Sequence, residues 1–270
     1  MSTCNARQHN STKHKKTPRG QRRTQAFGET PEQQAYNSNS IGFKNKLVIR
    51  DIEPLTDNQR VVFDSYDDGH NLFLHGYPGT GKSFLAFFLS LQEILDGDSP
   101  YDKVIVVRST VPSRDQGFMP GKKAEKEAVY EDPYIQICDE LFGRSDAYGL
   151  LKTKGVIEFT STSFLRGVTF KHAIVIVDEV QNSVPGELHT VISRVGENCR
   201  IIFCGDIRQN DLLHAREKSG IADFMKVIKK MRIFDFMEFG IDDIVRSNLV
   251  KQYIITRCEM EDSGEIQSLL

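Results

Sequence analysis

Nowhere in the 270-residue chain do about 18 apolar residues run together, which excludes a membrane-spanning helix. The amino terminus carries charge with no apolar stretch behind it, so no secretory leader is expected. Cysteine is sparse: Cys4, Cys138, Cys199, Cys204 and Cys258 are scattered, odd in number and never spaced as CxxC. That pattern argues against a disulfide framework or a zinc site and for a reducing, cytoplasmic setting. Neither sign of charge dominates, with 35 Lys and Arg against 37 Asp and Glu. No internal repeat at a solenoid period is visible.

The near-neutral balance conceals an asymmetry. Residues 1–28 hold seven basic side chains (Arg7, Lys13, Lys15, Lys16, Arg19, Arg22 and Arg23) and no acidic one. Their first large apolar residue is Phe27. Such a segment cannot bury enough surface to offset the entropy of ordering. Residues 1–46 are therefore expected to form a disordered basic arm and linker, able to hold nucleic-acid phosphates weakly. An ordered domain is expected over 47–256, followed by an acidic tail over 257–270.

Within that domain, short apolar runs alternate with helix-length segments. The runs Asn71–His75, Val104–Arg108, Val156–Thr160, Ala173–Asp178, Arg200–Gly205 and Ile233–Phe239 read as strands. Ile174-Val175-Ile176-Val177 is apolar on both faces, the mark of a parallel strand covered on two sides. The expected fold is α/β, a parallel sheet sandwiched by helices. Thr56 or Asp57 is placed to cap a short helix running toward Tyr66. Tyr130, Tyr134 and Phe142 are spaced for a helix core, and Lys122–Glu127 reads as a solvated helical face.

Gly76-Tyr77-Pro78-Gly79-Thr80-Gly81-Lys82-Ser83 fits GxxxxGK[ST], between an apolar run and an uninterrupted helical stretch beginning at Phe84. Glycines let backbone N–H groups turn inward around a phosphate. Lys82 supplies charge to the β- and γ-phosphates, and the Ser83 hydroxyl ligates Mg²⁺. Asp178-Glu179 ends an apolar strand, where Asp178 would hold the Mg²⁺ water shell and Glu179 would orient and deprotonate the attacking water. Gly205-Asp206-Ile207-Arg208-Gln209 follows another strand, with Gln209 suited to sensing the γ-phosphate and Asp206 to supporting it. Gln59, upstream of the loop, carries an amide able to bond an adenine edge as donor and acceptor.

These blocks resemble the PhoH-like proteins, P-loop ATPases with a RecA-type core related to superfamily-one helicases. The resemblance rests on Gly76–Ser83, Val107–Val111, Gly117–Gly121, Phe164–Thr169, Asp178–Asn182, Ser193–Gly196, Gly205–Gln209 and Asp243–Arg246, and spans roughly residues 48–255. It implies binding of ATP and Mg²⁺, ATP hydrolysis, a role on single-stranded RNA or another nucleic acid, and assembly into a homo-oligomeric ring. It also implies an association with ribonuclease activity; no second acidic cluster for two-metal cleavage is visible, so a separate nuclease partner is the expectation. Arg246 matches the arginine finger that would reach a neighbour's nucleotide, with Arg194, in the helix after Asp178, as the second choice. Arg108 resembles a phosphate-contacting arginine of helicases, and Arg166 lies in a Leu-Arg-Gly turn.

A helicase usually works with two RecA-like lobes, and residues 47–256 hold one; only an oligomer could place nucleic acid between two such cores. The alternative reading is a module that binds RNA or a nuclease partner in a nucleotide-dependent way with little turnover. A small-molecule kinase is a third, opposed by the Asp178-Glu179 pair.

Overall fold

The computed structural model describes residues 47–109, 128–165, 167–206 and 221–266. The basic arm, the Gly117–Gly121 block, the Lys122–Glu127 face, Arg166 and Gln209 lie outside the described residues.

Six strands form one all-parallel sheet in the order β3-β2-β4-β5-β1-β6. They are β1 (Asn71–Gly76), β2 (Lys103–Arg108), β3 (Ile157–Ser161), β4 (Ala173–Asp178), β5 (Cys199–Gly205) and β6 (Phe234–Phe239). All six match runs read from the sequence. Every residue of β4 is buried, as its two-sided apolar pattern requires. The helices are α1 (Asp57–Asp67), α2 (Lys82–Leu95), α3 (Asp132–Phe142), α4 (Ala147–Thr153), α5 (Pro185–Ile192), α6 (Ile221–Lys230) and α7 (Asn248–Asp262).

Alternate strand residues feed two cores. Phe73, Val107, Val175, Val177, Ile201 and Phe203 pack with Leu188 and Val191 of α5 and Met225 and Ile228 of α6. The intervening residues turn to the opposite face, where α2 crosses β5, β4 and β2 and lies beside α1 and α3. The result is the expected sheet sandwiched by helices. Thr56 caps α1, its hydroxyl accepting from the Gln59 N–H.

Three local readings are corrected. Tyr130 lies ahead of α3 rather than in its core, with the Arg108 guanidinium over its ring at 5.8 Å. Arg194 lies in a turn beyond α5, because that helix stops at Ile192. The acidic stretch after 256 begins inside α7, which runs to Asp262 with Arg257 paired to Glu261 one turn on.

Candidate nucleotide site

The phosphate loop joins β1 to α2, and two close approaches fix its shape. Gly76 has φ 123°, and a Cβ there would lie 2.1 Å from the Phe239 carbonyl oxygen, so only glycine permits the ends of β1 and β6 to meet. Tyr77 then donates its N–H to the same carbonyl at 3.1 Å. At the other end, Gly81 is a left-handed N-cap without a side-chain acceptor, so the first turn of α2 offers backbone N–H groups and the positive end of its dipole to an anion.

The Lys82 ammonium donates to the carbonyls of Gly76 (2.9 Å) and Tyr77 (2.6 Å) and to Thr80 Oγ1 (3.3 Å). Burial lowers its pKa, opposed by the charges of Asp206, Glu179 and Asp178. Those carboxylates are what a cation held at this edge answers to.

Ser83 Oγ donates to Asp178 Oδ1 at 2.7 Å, joining the first turn of α2 to the end of β4. The second oxygen of Asp178 accepts from the Tyr134 hydroxyl at 3.0 Å. A hydroxyl and a carboxylate at that spacing are hard oxygen donors of the kind Mg²⁺ takes. The donor set fits that cation.

Glu179 is held in the left-handed region, at φ 53° and ψ 45°, which costs a residue with a Cβ about 1–2 kcal/mol. Its carboxylate accepts from Gln181 Nε2, and the amide oxygen of Gln181 accepts from the Asp206 N–H at 3.0 Å. Burial, then the neighbouring Asp178 charge, raises the Glu179 pKa. Gly205 makes the crossing possible: a Cβ there would lie 2.4 Å from Val180 Cγ2 and 2.6 Å from Gln181 Oε1. Gln181 belongs to the Asp-Glu-x-Gln-Asn block, yet its role as the tie between β4 and β5 emerges only from the strand order.

Gln59 is 3% exposed, and both ends of its amide are engaged by the protein. Nε2 donates to the Thr80 carbonyl at 3.1 Å, and Oε1 accepts the Leu55 N–H at 2.8 Å. It fastens the phosphate loop to α1, and one hydrogen and one lone pair remain for an adenine edge.

The segment after β6 is also fastened here. Asp243 Oδ2 accepts from Asn58 Nδ2 (2.7 Å) and the Gly240 N–H (2.8 Å), and the Val245 N–H donates to the Gly79 carbonyl (3.0 Å). Arg246 therefore lies against its own loop, its Cγ 2.8 Å from where a Gly79 Cβ would stand, with its residue surface exposed.

Arg108 ends β2 in register with Asp178. Burial alone would lower its pKa, but Tyr134, Glu179 and Asp178 outweigh that and raise it. At the same strand edge, Ser109 Oγ and Thr162 Oγ1 both donate to the Glu187 carboxylate, pinning α5 to the ends of β2 and β3. No group of three His, Cys, Asp or Glu side chains poised for a metal ion occurs among the described residues. No described helix is long and apolar enough to cross a membrane.

The family model described as PhoH-like protein matches residues 51–257. A PhoH-like protein of Synechocystis sp. is 30% identical over 228 residues, covering 84% of this chain and 68% of that protein. Protein PhoH of Escherichia coli K12 is 32% identical over 183 residues, covering 67% of this chain and 51% of that protein, so this chain spans about half the length of that relative. Among solved structures, the Pif1 helicase from Candida albicans is similar over 70% of this chain and 40% of its own, at 17% identity and a TM-score of 0.36. A SWI2/SNF2 ATPase core from Sulfolobus solfataricus in complex with dsDNA is similar over 69% and 46%, at 12% identity and a TM-score of 0.41.

Proposed function

The chain belongs to the PhoH-like protein family, and from that premise we propose that it is a Mg²⁺-dependent ATPase whose nucleotide state is coupled to RNA binding in a homo-oligomer. The observation that carries the reading is the convergence of Lys82, Ser83, Asp178 and Glu179 at the carboxyl ends of β1 and β4, with Ser83 and Asp178 in direct contact.

The phosphates of ATP lie on the first turn of α2, cradled by Gly76 to Gly81, and compete with the loop carbonyls for the Lys82 ammonium. Ser83 and Asp178 would hold Mg²⁺, whose bound charge offsets that developing on the transferring phosphoryl group. Glu179 orients a water and accepts its proton, and Gln181 holds that carboxylate toward β5. Gln209, which follows β5 in the sequence, would sense the γ-phosphate. Arg246 adds the stabilising cation. Its anchorage on Gly79 favours action on the nucleotide of its own chain, while its exposed surface leaves a neighbour's nucleotide as the alternative.

Assembly is supported by α7. None of its described residues is buried, and Leu249 is 78% and Tyr253 62% exposed immediately after Arg246. A second copy covering that helix would place a subunit boundary beside the nucleotide. RNA coupling is supported by the basic arm over residues 1–28. The slow-turnover reading, in which the same site switches affinity for RNA or a nuclease partner, is favoured by the same basic arm, which could tether RNA without any need for turnover. ATP hydrolysis measured with Mg²⁺, with and without single-stranded RNA, separates the two: turnover stimulated by RNA supports the ATPase, and binding with negligible turnover supports the switch.

A further inference from the structure

The mechanism above leaves Tyr134 without a task, although no part of its surface reaches solvent. We propose that Tyr134 is a positioning residue that fixes the rotation of the Asp178 carboxylate, so that Oδ1 is presented to Ser83 and to the metal. This inference rests on the reading of Asp178 as a Mg²⁺-binding group.

The geometry holds the hydroxyl in place from three directions. Tyr134 enters on α3, its ring stacks on Phe87 of α2 at 5.2 Å with 11° between the planes, and Phe159 of β3 packs against it, tilted by 38° at 5.9 Å. Because Phe87 belongs to the helix that carries Ser83, one packing unit positions both donors to Asp178. Torsion of a carboxylate about its last bond is soft and nearly two-fold, so either oxygen of an unrestrained Asp178 could face the loop. With Ser83 on Oδ1 and Tyr134 on Oδ2, the two oxygens are distinguished.

The donor's chemistry matters as much as its place. A lysine or arginine bonded to Oδ2 would offset the charge that attracts a cation. A phenol donates a hydrogen bond to Oδ2 without bringing a formal positive charge of its own. Removing a partner that orients a metal-binding group typically weakens the metal about 10- to 100-fold. A buried tyrosine that merely satisfied its own hydroxyl would leave metal binding unchanged on conversion to phenylalanine.

The test is a titration of Mg²⁺ against binding of a fluorescent ADP, in Tyr134→Phe and wild type, in single and paired substitutions with Asp178→Asn. Tyr134→Phe is expected to raise the Mg²⁺ needed for half-maximal enhancement about 10-fold, with ADP binding in EDTA unchanged. In the Asp178→Asn background the same substitution is expected to add nothing. Wild-type Mg²⁺ dependence in Tyr134→Phe, or an equal shift in both backgrounds, overturns the inference. If Asp178→Asn itself leaves Mg²⁺ dependence intact, the metal reading fails and this inference with it; if only Tyr134→Phe is silent, this inference alone fails. Should Tyr134→Phe not fold, Phe87→Leu keeps the hydroxyl but removes the ring beneath it. That variant is expected to shift Mg²⁺ dependence the same way by a smaller factor, and wild-type behaviour there overturns the inference.

Discussion

Ser83 Oγ and Asp178 Oδ1 meet at 2.7 Å across 95 residues of sequence, and that one contact turns two separate motifs into a site. Nothing between them in the chain is short enough to enforce it. The parallel sheet does so, by bringing the ends of β1 and β4 to the same edge with β5 between them.

If Glu179 is the base, Glu179→Gln binds ATP with near wild-type affinity and loses turnover by about 10²–10⁴-fold. The amide keeps the shape and the water contact but cannot take a proton. Nucleotide binding and steady-state hydrolysis, measured on one preparation, check both halves of the expectation.

The pH dependence of that step has a sign. Burial and the Asp178 charge raise the Glu179 pKa, so its basic form requires a higher pH than an unperturbed carboxylate does. Turnover is therefore expected to fall on acidification earlier than for a solvent-exposed carboxylate, along a limb that is missing from the residual activity of Glu179→Gln. A profile of kcat/KM from about pH 4.5 to about 8, which reports the nucleotide-free enzyme, reads this directly.

Gly205→Ala probes the tie between β4 and β5. The new Cβ would press on Val180 and Gln181, at a cost of about 1–3 kcal/mol if the neighbours give way. A lowered Tm together with a lower kcat, at unchanged ADP affinity, is the expected pair of outcomes, because Gln181 holds Glu179.

Arg246 can be assigned to its own or a neighbouring nucleotide by mixing. Lys82→Ala and Arg246→Ala are each expected to be inactive alone. If Arg246 acts within its own chain, their mixture stays inactive; recovery of activity in mixed assemblies would give it to the neighbour. Leu249→Glu, on the exposed face of α7, is expected to shift the sedimenting species toward monomer without unfolding the chain.

Much of this was legible in the sequence for a local reason. The phosphate loop is contiguous, and each strand of a doubly covered parallel sheet is a short apolar run, so Ala173–Asp178 announces itself together with the carboxylates at its end. What could not be read depends on strand order. Gln181 touches Asp206 because β5 lies between β4 and β1, and Tyr134, spaced as a core residue, is one whose hydroxyl happens to reach Asp178. Gln59 was legible as an amide near the loop, whereas its engagement by Thr80 and Leu55 required the fold. The helical start of the acidic segment was hidden because the apolar residues of α7 are spread around the helix rather than gathered on one face.

Steady-state ATP hydrolysis with Mg²⁺, over a range of protein concentrations and with and without single-stranded RNA, bears on the proposed activity most directly. Turnover that requires Mg²⁺ and rises with both protein concentration and RNA is expected. ATP binding with flat, negligible turnover under every condition would contradict it.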